Sequence, residues 1–176
     1  MCWSLPFVTR IFIDIPTSNT ISLKFIEDNS ISIVDKIIQA LSQNDNKSAF
    51  LLIFKNNMKG CFLNIVGGIT LGIGTVVNLS VNGFSLSDII VNSYHSGLSM
   101  ENIFKMILPH SFELIGLWLS GAIGFIITWE IIKFMRGQNV FTVSFIKQVV
   151  LLITIIFFIT LLAAYVEVYI SINELK

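Results

Sequence analysis

Residues 61–80 read CFLNIVGGITLGIGTVVNLS, twenty positions without a single charge. As one α-helix at about 1.5 Å rise per residue, such a run reaches roughly 30 Å, the thickness of a bilayer's hydrocarbon core. Lipid offers the backbone no hydrogen bonds, and a helix satisfies its own N–H and C=O groups, so the run is expected to be a membrane span. Two more apolar stretches of that length follow, at 112–132 and 149–168. The expectation is therefore an all-α fold, a polytopic transmembrane helical bundle with amphipathic or half-helices and a short polar N-terminal region. The 54% apolar share, 12% charged share and mean hydropathy of +0.81 lie outside the balance of a soluble domain. A chain of 176 residues has room for one membrane domain, assigned to 49–176, behind a polar, cytoplasmic region at 1–48.

The charges set the boundaries. Asp14, Glu27, Asp28, Asp35 and Asp45 stand against Arg10, Lys24, Lys36 and Lys47 in the first 48 residues, which read as solvated. Residues 3–15 are apolar enough to touch a membrane surface, but Pro6, Arg10 and Asp14 make them too broken and too short to span. They also lack the basic start and small-residue cleavage site of a signal peptide. At 30–41, Ile31, Val34, Ile37, Ile38 and Leu41 recur at helical spacing, which predicts an amphipathic helix. A second is expected over 47–59, with Phe50, Leu51, Phe54 and Met58 at the headgroup boundary and Lys55 and Lys59 toward the phosphates. Asp88, Asn92 and Gly97 reduce 82–97 to a re-entrant half-span at most, and Pro109 is expected to end a short helix at 100–108. Lys47, Lys55 and Lys59 precede the first span, Lys133, Arg136 and Lys147 separate the second from the third, and 81–110 holds only Lys105. Because cytoplasmic loops carry the excess of Lys and Arg, this pattern places the N-terminus and 133–147 in the cytoplasm, with 81–110 and the C-terminus outside.

Polar residues inside the spans fall on stripes. A helical wheel puts Gly60, Asn64, Gly67, Leu71, Gly74, Thr75 and Asn78 within about one third of the circumference. Gly68 and Gly72 add a GxxxG. The second span carries Glu113, Gly116, Ser120, Gly124 and Thr128 on one side, and the third carries Thr160, Ala164, Glu167 and Ser171. Small residues let helices approach, and the Asn side chains need partners that lipid lacks, so these faces either pack against protein or line a substrate path. Glu113 and Glu167 are the sharper cases, since a carboxylate in or near hydrocarbon is costly without a partner. Each serves as a cap or interhelical hydrogen bond, or belongs to a functional polar site with His110, Asn78 and Asn82. His110 and Glu113, three apart on a helical turn, have the spacing of two metal ligands that His95 or Glu167 would complete. Cys2 and Cys61 form neither a disulfide framework nor a zinc motif. There is no H-E-x-x-H, G-x-S-x-G or P-loop either, so the chain is expected to be non-enzymatic, with no catalytic residue, cofactor or metal. Interspersed charge and zero net charge leave no basic stripe for nucleic acid.

The order of these features resembles the stage II sporulation protein M family. The likeness runs over 54–171 and rests on Phe54-Lys55-Asn56-Asn57, on Gly67-Gly68 with Gly72 and Gly74, and on Asn82-Gly83-Phe84. It continues through Pro109-His110-Ser111-Phe112-Glu113, Gly121 with Gly124, and Ala163-Ala164-Tyr165-Val166-Glu167 followed by Ile170-Ser171. Family members more often have glycine where Ser111 stands, and usually a full membrane helix ahead of the amphipathic segment. The resemblance implies a polytopic protein of a prokaryotic cytoplasmic membrane without known catalysis. It points either to a scaffold for peptidoglycan-remodelling proteins in sporulation, or to a companion of ABC transporters in bacteriocin export and immunity.

The leading functional expectation is a membrane subunit that sits in lipid and binds protein partners. It would do so through its amphipathic N-terminal region and its glycine faces: Gly67, Gly68, Gly72, Gly74, Gly116, Gly121 and Gly124. Those partners would be ABC transporter subunits, cell-wall hydrolases or a second copy of the chain. A transporter or channel component with a polar intramembrane site near Glu113 and Asn78 is the alternative, and a metal-dependent intramembrane enzyme using His110, Glu113 and Glu167 is a third.

Overall fold

The computed structural model describes residues 2–13, 33, 35–108, 110–140 and 142–171. Among them the chain forms α1 (Ser4–Phe12), α2 (Asn46–Gly67), α3 (Ile73–His95), α4 (Met100–Ile107), α5 (His110–Met135) and α6 (Val143–Val166), with no strand. Ile33 and residues 35–42 are helical as well, while 30–32 and Val34, which belong to the helix expected over 30–41, lie outside the described residues, as does Pro109. Three helices, α3, α5 and α6 with the turn that follows it, are long and apolar enough to cross a membrane. The fold is thus an all-helical membrane bundle, and the runs at 112–132 and 149–168 lie within α5 and α6.

The run at 61–80 folds differently from the single span expected of it. Asp45 caps α2 by accepting the Ser48 N–H at 3.1 Å, and hydrogen bonds from Ser48 hold its carboxyl below the usual carboxylate range. From there α2 continues unbroken through the stretch assigned to a surface helix and ends at Gly67. One 3-10 turn, Gly68–Thr70, follows, and then Leu71 (φ 53°) and Gly72 (φ 80°) take left-handed backbone and reverse the chain. The Thr70 hydroxyl ties the turn by donating to the Gly67 carbonyl at 2.7 Å and accepting the Gly74 N–H at 3.1 Å. So the glycines that a straight helix would use for packing make a hairpin tip. A Cβ on Gly67 would overlap the backbone at Gly74 and Thr75. The separate half-span expected at 82–97 is likewise absent, because Asn82 to His95 complete α3 in one continuous helix.

The hairpin packs against α5 with a constant offset. Asn57 meets Glu113, Asn64 meets Ser120, and Gly68 meets Gly124, each pair 56 positions apart, so α2 and α5 run parallel. The hairpin tip reaches only the level of Thr128, whose hydroxyl donates to the Gly68 carbonyl at 2.9 Å, while α5 goes on to Met135. α6 returns antiparallel to α5. Its Ile156 is buried with Cys61 and Ile123, and its Ala164 and Val168 are buried with Ala49 and Ile53 near the start of α2.

This arrangement sets which ends of the helices lie together in the bundle. The first turns of α2 and the last turns of α6 lie side by side, at the opposite end of α5 from the loop that follows Met135. Lys47 and the Lys133–Arg136 pair therefore sit at opposite ends of the bundle, not together, and the α2 start shares its end with the close of α6. The expected pattern rests on 61–80 running as one straight span, whereas the hairpin turns the chain back toward the end of the bundle where α2 starts.

α1 adds a layer that the sequence reading left unpacked. It lies along α3 in the same direction. Ser80 Oγ donates to the Cys2 carbonyl at 3.0 Å, Gly83 lies under the Trp3 carbonyl where a Cβ would overlap it, and Arg10 Nε donates to Asp88 Oδ1 at 2.7 Å. Trp3 also meets Trp118 of α5 edge to face, with ring centroids 5.4 Å apart.

Candidate functional site

Two polar assemblies lie along the seam between α2 and α5. The inner one is a ladder of amides and hydroxyls. Asn64, fully buried, donates to the Leu117 carbonyl and to Ser120 Oγ, both at 3.0 Å, and its own backbone carbonyl accepts the Thr75 hydroxyl at 2.7 Å. Asn78 crosses the hairpin, donating to the Gly60 carbonyl at 3.1 Å and to Asn64 Oδ1 at 2.7 Å. Asn82 continues one turn on, its amide donating to the Asn78 carbonyl at 2.8 Å. Each buried donor finds an acceptor inside the chain, so the ladder ties α2, α3 and α5 together.

The outer assembly lies where α5 begins and α6 ends. His110 and Glu113 share a face of the first turn of α5 because they are three residues apart. Glu167 reaches them from α6, at the point where that helix widens into a π-helical turn over Glu167–Ser171. His110 Nδ1 lies 3.4 Å from Glu113 Oε2 and 3.8 Å from Glu167 Oε1. Glu113 Oε1 accepts a hydrogen bond from the Asn57 amide of α2. Glu167 Oε2 is buried and has no hydrogen-bond partner. The His110 side chain is 41% exposed against 20% and 19% for Glu113 and Glu167, so the group opens outward through the imidazole. Its three residues can each offer one donor atom, and these atoms lie within 4.8 Å of one another.

The structure thus brings His110, Glu113 and Glu167 together, and puts Asn78 and Asn82 in the neighbouring ladder. His95 is exposed at the end of α3 and takes no part in the group. The glycine faces are used up within the chain. Gly68 abuts Gly124, Gly67 abuts Gly74, Gly116 lies against Thr160, Gly121 lies against Leu79, and Gly72 turns the tip beside Thr128. These glycines pack helix against helix within the chain, the close approach that their small size allows. Asn57 escaped the reading of the stripe, although the periodicity from Asn64 back through Gly60 reaches it one turn earlier. Gly83 and the Arg10–Asp88 pair had no local signal, since their partners are remote in sequence.

A helical hairpin seated on two long apolar helices, with an ionisable cluster at one end of the seam, defines a polytopic membrane protein. The chain belongs to the stage II sporulation protein M family, which matches residues 10–172. It is 32% identical over 125 residues to an uncharacterized protein of Methanocaldococcus jannaschii, covering 69% of this chain and 70% of that protein. No solved structure matches it.

Proposed function

We propose that the chain is a non-enzymatic subunit or scaffold of a membrane complex in a prokaryotic cytoplasmic membrane. Its setting would be peptide or bacteriocin export and immunity beside an ABC transporter, or cell-wall remodelling in sporulation. The observation that carries this reading is the closed seam. The hairpin stops at the level of Thr128, its backbone abuts α5 at Gly68 and Gly124, Asn64 spends its donors on α5, and Asn78 spends its own on α2. Such a body supports neighbours and encloses no path of its own along that seam.

A second reading, a transporter or channel component, draws on the outer cluster, where Glu167 Oε2 lacks a partner one helical turn from the ladder. One experiment separates the two: purification of the tagged chain from its native membrane in mild detergent, with mass spectrometry of what accompanies it. Stoichiometric cell-wall hydrolases, an ABC ATPase or a small cationic peptide is the expected result, and the species found chooses the setting. Recovery of the chain alone as a defined oligomer would shift the assignment to a self-contained pore, and a lone monomer would sink the subunit reading.

A further inference from the structure

We propose that His110, Glu113 and Glu167 form a binding site for a divalent transition-metal ion of the zinc class. The site stands independently of the subunit reading and goes beyond it. Four-coordinate zinc holds imidazole nitrogen and carboxylate oxygen at about 2.0–2.2 Å, and tetrahedral geometry then sets the ligand atoms about 3.4 Å apart. The separation of His110 Nδ1 from Glu113 Oε2, 3.4 Å, equals that spacing, and the 3.8 Å to Glu167 Oε1 is a few tenths of an ångström longer, so a small inward shift of Glu167 would complete it. Both separations are long for direct hydrogen bonds between an imidazole and a carboxylate.

A second observation points the same way. Glu113 and Glu167 bring two carboxyl groups together in a partly buried place, and Glu167 Oε2 accepts no hydrogen bond. Two such groups repel unless a proton or a cation lies between them, and a divalent ion beside a neutral imidazole would balance both. Asn57 holds the outer oxygen of Glu113 and leaves Oε2 turned toward His110, as residues behind metal ligands do. The π-helical turn at Glu167 is a device that recurs at functional sites. One nitrogen donor with two carboxylates selects zinc-like ions over magnesium and calcium, which prefer all-oxygen shells. The partly exposed His110 leaves one side of the site open for the ion to enter.

The test uses the full chain in detergent, stripped with chelator and then titrated with Zn²⁺ or Mg²⁺, reading bound metal after gel filtration and the thermal midpoint. One zinc per chain, a raised midpoint with Zn²⁺ and neither effect with Mg²⁺ are expected. Asn57→Leu should weaken zinc binding by about tenfold to a hundredfold, as loss of a supporting hydrogen bond does. His110→Gln and Glu167→Gln should weaken it further, while His95→Gln leaves it unchanged. A folded wild-type chain that holds no stoichiometric zinc and shows no zinc-dependent midpoint overturns the site, whatever the variants do. Binding indifferent to both His110→Gln and Glu167→Gln does the same.

Discussion

Gly68 and Gly60 lie on the same helix or its immediate extension, yet an added methyl meets opposite surroundings at the two positions. A Cβ on Gly68 would overlap the carbonyl and Cα of Gly124, and backbone on both sides gives it nowhere to go. A Cβ on Gly60 would rest 3.7 Å from Leu117 Cδ1, an ordinary contact with the end of a flexible side chain. Overpacking of a tight contact costs about 1–3 kcal/mol, whereas replacing an interior helical glycine by alanine gains about 0.8–1 kcal/mol where space allows. Gly68→Ala is therefore expected to lower the stability of the purified protein by about 1–3 kcal/mol. Gly60→Ala should raise it by up to about 1 kcal/mol. Thermal unfolding in one detergent measures both, and a shift of the same sign at the two positions would mean that α2 and α5 do not meet at Gly68. The Gly60 carbonyl, which receives the Asn78 amide, is retained in the variant, so its sign reports packing and propensity alone.

α1 shows how an element can be held by residues that look like reasons against it. Arg10 interrupts an apolar stretch, yet its side chain is only 3% exposed because Asp88 receives it across α3 at 2.7 Å. Reversing one charge, Arg10→Asp or Asp88→Arg, should free α1 and raise the reactivity of Cys2 toward a maleimide severalfold. The double exchange should restore protection, since Cys61 is buried and adds little background. A double variant as reactive as either single one would remove the pair as the clamp. No local pattern announces a partner 78 positions away, and this is why α1 was not legible in the sequence. α5 and α6 were legible because length and apolarity suffice for a lone span, and so was the shared face of His110 and Glu113, which three-residue spacing dictates. The hairpin was hidden by a coincidence of period. Asn64 and Asn78 are fourteen residues apart, about four helical turns, so they fall on one face whether 61–80 is straight or folded at its middle. Gly67-Gly68 and Gly72 with Gly74 were visible, but glycine serves close packing and left-handed turns alike, and only the positive φ at Leu71 and Gly72 decides for the turn.

At the scale of the molecule, the hairpin carries a prediction about which parts of the chain share a side of the membrane. From the level of Asn57 and Glu113 to that of Gly68 and Gly124 it rises about 17 Å at 1.5 Å per residue, roughly half the hydrocarbon thickness. With Glu113 at the headgroup boundary, exposed Lys55 and Lys59 would lie near it, where long cationic side chains reach headgroups. The charged ends of α2 and α3, with Asp45 and Asp88, continue beyond it on the same side. A single span over 61–80 would instead separate residue 42 from residue 96 and leave 42 with 138. These alternatives give different labelling patterns for cysteines placed one at a time at Ser42, Ser96 and Gln138, all exposed, in a Cys2→Ser background with the buried Cys61 retained. With a membrane-impermeant maleimide on sealed vesicles of known orientation, residues 42 and 96 should react from one face and residue 138 from the other. Reaction of 42 together with 138, and of 96 from the opposite face, would restore the single span and dissolve the hairpin. The outer cluster follows the same rule, because Glu113 and Glu167 lie at the end shared by the start of α2. The face that labels 42 and 96 is then the face from which an ion would reach His110.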